Sequence, residues 1–129
     1  MASEDQLQVL LEAGVPKEPI VKTVIDFVKQ YLEGPAFNHV MRSCAFSFYI
    51  ADKQDRLKDV DKEVVALSTL LHDMSWSKDV QFSSENKRFE IDSADAAREF
   101  LQREHSLSQI LWTSSKERFR VPLHEYLRR

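Results

Sequence analysis

Residues 38–52, NHVMRSCAFSFYIAD, decide the fold class. Val40, Met41, Cys44, Ala45, Phe48 and Ala51 recur at the three-and-four spacing of a helix face. Phe46, Tyr49 and Ile50 add apolar groups on the other side, which leaves little of the circumference for water. A helix that is apolar nearly all round belongs at the centre of a bundle. Asn38 is the expected cap, so His39 is expected to open this helix.

Outward from this segment the same period repeats. Upstream, residues 19–32 place Ile20, Val21, Val24, Ile25, Val28, Tyr31 and Leu32 on one stripe, with Pro19 in the first turn and Gly34-Pro35 as the stop. A short first helix is expected from the Ser3 cap through Leu7, Leu10 and Leu11 to Gly14 and Pro16. Downstream, residues 53–60 are polar and read as a connection. Asp61 then precedes a fourth helix carrying Val64, Val65, Leu67, Leu70 and Leu71 and ending in His72-Asp73. Residues 74–91 hold Trp76, Phe82 and Phe89 without sustained period and read as a long loop with at most a turn of helix. Asp92 or Ser93 is the expected cap of a fifth helix with Ala96, Ala97, Phe100 and Leu101 buried. Ser106-x-x-Gln109 is a capping box for a short sixth helix through Trp112, and residues 113–129 are expected to dock loosely. The expectation is an all-α bundle of about five to six helices in a single domain over residues 1–129, with its core near 18–105.

Composition agrees. The 129 residues are 43% hydrophobic and 30% charged, a globular balance with no run long enough to span a bilayer. Two glycines and four prolines are too few for a protein of many tight turns. With 18 basic and 21 acidic residues the net charge is −3, which predicts no field for nucleic acid or anionic lipid. The lone Cys44 cannot form an internal disulfide, and MASEDQLQ lacks the basic-then-apolar order of a signal. The expected location is the cytoplasm.

Chemistry concentrates in two imidazoles on separate apolar helices, one followed directly by a carboxylate. His39, His72 and Asp73 offer two nitrogens and an oxygen, a set suited to Zn, Mn, Fe, Co or Ni. Neighbours on a helix diverge by about 100°, so His72 and Asp73 can act together only at a helix end or from two sides of one cation. Taken singly, each has an ordinary structural reading: a histidine beside apolar residues is a packed, hydrogen-bonded side chain, and an aspartate after a helix makes a local turn bond. The run LSTLLHDMSW raises the pair above that reading, because an unpaired charge directly after an apolar stretch is costly. Arg42, three residues beyond His39, is placed to hold an anionic substrate group or to pair with a nearby acid. Trp76 and Phe82 either line a small-molecule pocket or anchor the loop on the core. Cys44 is expected to be a buried, inert thiol; Lys78, Lys87 and Arg88 a solvated face; His105 and His124 exposed.

The segments NHVMRSCAF, LLHDMSW and KRFEIDSADAAREFL, in this order, resemble the HD-domain superfamily of metal-dependent hydrolases. Within it they look like the fungal-type branch that includes cyanamide hydratase. The resemblance covers roughly residues 20–101. It implies an all-helical domain holding a divalent cation through His39, His72 and Asp73. Asp73 would serve also as proton acceptor and Arg42 as a substrate contact. The implied activity is hydrolase or hydro-lyase, with water activated against a small phosphate ester, a nucleotide or a nitrile-like substrate. A small molecule is thus the expected partner, nucleic acid and membrane are not, and a homo-oligomer stays open.

The family pattern closes with a later Asp that has no match here, since Asp95 is the last aspartate and lies where relatives have no ligand. Glu104, His105, Glu117, His124 and Glu125 are the later residues that could substitute. Ser75 and Ser93 stand where relatives often have glycine. The alternative expectation is therefore a truncated or divergent HD fold, impaired in catalysis and acting as an interaction module.

Overall fold

In the computed structural model, which describes residues 4–107, the first five apolar periods become helices. These are α1 (Glu4–Ala13), α2 (Pro19–Tyr31), α3 (Gly34–Asp52), α4 (Lys62–Leu71) and α5 (Phe89–Leu107). Among the described residues there is no strand, so the all-α expectation holds. No helix among them is long and apolar enough to cross a membrane. The cap expected at Ser3 lies outside the described residues, as do the sixth helix beyond residue 107 and the tail at 113–129. Ser106, expected to begin that sixth helix, is part of α5.

Gly14 ends α1 for a conformational reason. Its φ of 101° lies in the left-handed region that side chains disfavour. There the amide of Gly14 reaches the Leu11 carbonyl (3.1 Å) and that of Val15 the Leu10 carbonyl (3.0 Å). This paired pattern closes a helix with an apolar clasp, here the buried Leu10 and Val15.

The chain then turns through α2 into α3, and here the sequence reading needs correction. Gly34-Pro35 does stop α2, but it also starts α3. Glu33 takes the cap position, Pro35 sits in the first turn and the Phe37 amide bonds the Glu33 carbonyl at 2.9 Å. Proline has no amide to lose at that position, so the one dipeptide serves both ends. Asn38 is consequently not a cap; it lies inside the helix and accepts a bond from Gln6 Nε2 of α1 at 3.1 Å. His39 falls in the second turn rather than at the opening.

The inner face of α3 carries Phe37, Val40, Met41, Cys44, Ala45 and Phe48, packed against α1 and α4. Burying each larger side chain contributes about 1.5–3 kcal/mol. The outer face departs from the expectation: Phe46, Tyr49 and Ile50 are 62%, 49% and 55% exposed. Among the described residues only one flank of α3 is covered, whatever its composition. α4 starts as expected, its Asp61 carboxylate accepting from the amides of Glu63 (3.0 Å) and Val64 (3.2 Å).

The connection 53–61 contains one short 3-10 turn, Asp55–Leu57, and the segment after α4 contains two, Met74–Trp76 and Val80–Phe82. The second is pinned to the core by Phe82, whose ring meets Tyr31 edge-on at 4.8 Å and Phe27 at 5.9 Å. Phe27 in turn stacks on Phe100 of α5 at 3.8 Å. α5 begins at Phe89, earlier than either expected cap, with the Arg88 carbonyl receiving the amides of Ile91 and Asp92. Asp92 and Ser93 are buried and turn elsewhere. The Asp92 carboxylate takes the Ser84 amide (2.8 Å) and hydroxyl (2.9 Å), fastening the loop 83–88. Ser93 holds Ser75.

Candidate metal centre

Three side chains from two helices and one turn converge. His39 projects from the second turn of α3, His72 caps the end of α4, and Asp73 follows it. Asp73 has φ −118° and ψ 27°, outside the helical region, and at this break the main chain departs from α4. That departure resolves the divergence expected of helical neighbours, because His72 and Asp73 now address one point. His39 Nε2 lies 3.0 Å from Asp73 Oδ2, and His72 Nε2 lies 3.2 Å from the same oxygen. The ring centroids of the two histidines are 5.4 Å apart. One ligand atom from each of the three lies within 4.8 Å of the others, a spacing that can hold a metal ion.

Accessibility suits a reactive centre. The Asp73 side chain is 11% exposed, while His39 and His72 are 44% and 38% exposed, so the carboxylate forms the floor and the imidazoles the rim. A carboxylate removed from water needs compensation, and two imidazoles on one oxygen supply it only through a proton or a cation.

The tautomer of His72 sharpens this point. Its Nδ1 lies 2.6 Å from the Thr69 carbonyl, an atom that can only accept, so Nδ1 carries the proton. In the neutral ring Nε2 is then a bare lone pair, and it faces a carboxylate oxygen. Two acceptors at 3.2 Å repel unless an electrophile joins them. An imidazole Nδ1–H held by a backbone carbonyl, with Nε2 free, is the arrangement that orients metal-ligating histidines. The donor set and its orientation both fit a divalent cation.

Around this group, Trp76 on the Met74–Trp76 turn has its ring 5.9 Å from that of His39 and 6.0 Å from Phe89, and is 57% exposed. The turn is fastened by the Ser75 amide and hydroxyl on Ser93 (3.1 and 2.9 Å) and by the Ser75 hydroxyl on the Phe89 carbonyl (3.0 Å). Arg42 is exposed on α3 one turn beyond His39, and among the described residues it has no ion-pair partner. Among the described residues the acid-pair reading of Arg42 therefore finds no acid. Lys78 pairs with Glu33 at 2.9 Å and Lys87 with Asp95 at 2.7 Å, both on the surface as expected. Cys44 is buried, and burial pushes its thiol up to about 11, with a Thr69 hydrogen bond opposing. It is the inert thiol the sequence suggests.

Of the later residues that could complete the donor set, Glu104 is not a member of the group. The side chains of His105, Glu117, His124 and Glu125 lie outside those described. Reading the residues missed the Thr69 carbonyl, a backbone atom with no signature except its place three residues before a histidine. It also missed the Ser75–Ser93 bond, which joins residues eighteen apart in the chain.

Comparison of the chain with protein-family models, with curated proteins and with solved structures finds no match in any of the three. What the site defines on its own geometry is a His39, His72 and Asp73 group able to bind a metal ion in an all-α bundle.

Proposed function

We propose that this protein is a metal-dependent hydrolase or hydro-lyase of the HD-domain type, with His39, His72 and Asp73 as ligands. The observation that carries the reading is the orientation of His72, whose Nδ1 is spent on Thr69 while Nε2 faces Asp73 Oδ2. A divalent cation such as Zn, Fe, Mn, Co or Ni, when bound, would supply Lewis acidity there and bring the pKa of water down towards neutrality. The chain's own residues do the rest. Asp73, fixed at the floor between two imidazoles, would hold the cation through one carboxylate oxygen and accept a proton from water through the other. Arg42 offers an anionic substrate group a bidentate contact. The substrates compatible with this arrangement are small phosphate esters, nucleotides and nitrile-like molecules, and the working compartment is the cytoplasm.

Metal analysis of the purified protein beside a His72→Ala variant tests the reading. Near-stoichiometric cation in the first and little in the second supports it; equal, negligible content in both overturns it. One observation favours a second reading, a catalytically impaired HD-type fold acting as an interaction module: the exposed strip of Phe46, Tyr49 and Ile50 on α3. That reading predicts the negligible-metal outcome.

A further inference from the structure

The loop after α4 carries two large aromatic side chains with opposite fates. Phe82 is 6% exposed and wedged between Tyr31 and Phe27, so it is the anchor. Trp76 is 57% exposed, and anchoring does not explain it. The turn beneath Trp76 is nevertheless held firmly. Its amide bonds the Asp73 carbonyl at 3.0 Å, and its neighbour Ser75 makes three hydrogen bonds to Ser93 and Phe89. The indole is therefore a positioned surface, set 5.9 Å from the His39 ring with a 35° tilt between planes and braced by Phe89 at 63°. A braced, water-facing indole is a stacking surface for a planar ring, because its free face retains the apolar area and quadrupole that reward such a contact.

Arg42 lies on the same helix as His39 and has no ion-pair partner among the described residues. A guanidinium one turn from His39 favours an anion in the same neighbourhood. Resting on the metal-site reading above, we propose that Trp76 is a specificity-determining residue of this centre. It stacks on an aromatic or heteroaromatic ring of the substrate, whose anionic group lies at the His39, Asp73 and Arg42 end. A ring-bearing anion, such as an aryl or heteroaryl phosphate, is thereby selected over a small aliphatic or nitrile-like molecule.

Titration calorimetry of the full chain with phenyl phosphate and with methyl phosphate, in the presence of zinc, tests this. The native protein should bind phenyl phosphate about tenfold more tightly than methyl phosphate. Trp76→Ala should erase that ratio by weakening phenyl phosphate alone, and Trp76→Phe should keep part of it. Zinc content and thermal stability of both variants should match the native protein, which separates a lost stacking surface from a damaged fold. An unchanged ratio in Trp76→Ala, or a native protein that holds zinc but shows no preference or binds neither phosphate, overturns the inference and leaves the metal site standing. A native protein that takes up none of zinc, manganese, iron(II), cobalt and nickel removes the metal site itself.

Discussion

The hydroxyls of Ser75 and Ser93 lie 2.9 Å apart, joining the turn that follows the candidate metal centre to the first turns of α5. The directions of the bonds are fixed by their partners. Ser75 donates its hydroxyl to the Phe89 carbonyl, the Ser93 oxygen accepts the Ser75 amide, and the Ser93 hydroxyl is left to donate to Ser75. Two serines eighteen residues apart along the chain thus answer each other in space.

Ser93 is 1% exposed, so its loss strands polar groups that water cannot reach. Ser93→Ala should destabilise the protein by about 1–3 kcal/mol, the cost of leaving a buried donor and acceptor unsatisfied. Ser75→Ala should cost a similar amount, and the double variant less than the sum, since both substitutions remove the one hydroxyl–hydroxyl bond. Urea denaturation of the two single variants and the double variant measures the coupling.

Phe82 and Trp76 should separate just as cleanly. Phe82→Ala empties a site between Tyr31, Phe27 and the loop, and should lower stability by about 3–5 kcal/mol. Trp76→Ala removes a mostly exposed ring and should stay within about 0.5–1 kcal/mol of the native protein. Thermal unfolding of both variants decides the matter, and a Trp76 effect as large as that of Phe82 would make the indole a structural anchor.

These contrasts show what the sequence could and could not disclose. The stripes of α2 and α4, the Asp61 cap and the placement of His72 at a helix end were legible, because period and capping act over a few neighbouring residues. The start of α3 was not, since Gly34-Pro35 stops one helix and begins the next with the same chemistry. Asp92 and Ser93 have the composition of caps, yet they serve a loop and a turn that are remote in sequence. Only the tertiary path tells a capping carboxylate from one that straps Ser84. Phe46, Tyr49 and Ile50 mislead for the opposite reason, since apolar content records what a face tolerates rather than what covers it. For the centre itself, the sequence supplied the three residues. The break at Asp73 and the Thr69 carbonyl, which turn them towards one another, belong to the backbone.

Cys44 predicts a pH effect. Burial raises its thiol from 9.0 to about 11, so the folded state favours the neutral form more than the unfolded chain does. The associated stability is fully present below pH 9 and is lost as pH rises towards 11, by roughly 2–3 kcal/mol at the rate of 1.36 per unit. Tyrosines and lysines titrate in the same range, so the measured quantity is the difference between the native protein and Cys44→Ala. Denaturation curves from pH 8 to about pH 11 should show the native protein losing its advantage, whereas parallel curves would mean that the thiol is solvated in the folded state. At neutral pH the same thiol should resist alkylation until the chain is unfolded.

The metal reading carries the strongest stability prediction, because a cation that binds the folded arrangement and not the unfolded chain must raise the melting temperature. At a free concentration one hundred times its dissociation constant the gain is about 2.7 kcal/mol, which for a domain of this size corresponds to about 10 °C. Zinc, manganese, iron(II), cobalt and nickel titrated separately into metal-stripped protein should rank by the size of that shift and so name the preferred ion. His39→Ala removes the one ligand contributed by α3, and Asp73→Asn replaces the charged oxygen that touches both imidazoles at 3.0 and 3.2 Å. Each variant should abolish most of the cation-dependent shift. Their melting temperatures without added metal separate two roles of the group. If Asp73 is held by a proton shared with the imidazoles, Asp73→Asn lowers the metal-free melting temperature. If instead the carboxylate and the His72 lone pair repel until a cation arrives, Asp73→Asn leaves it unchanged or raises it. The orientation of His72 by Thr69 predicts the second result, and scanning the metal-free variants at neutral pH distinguishes the two directly.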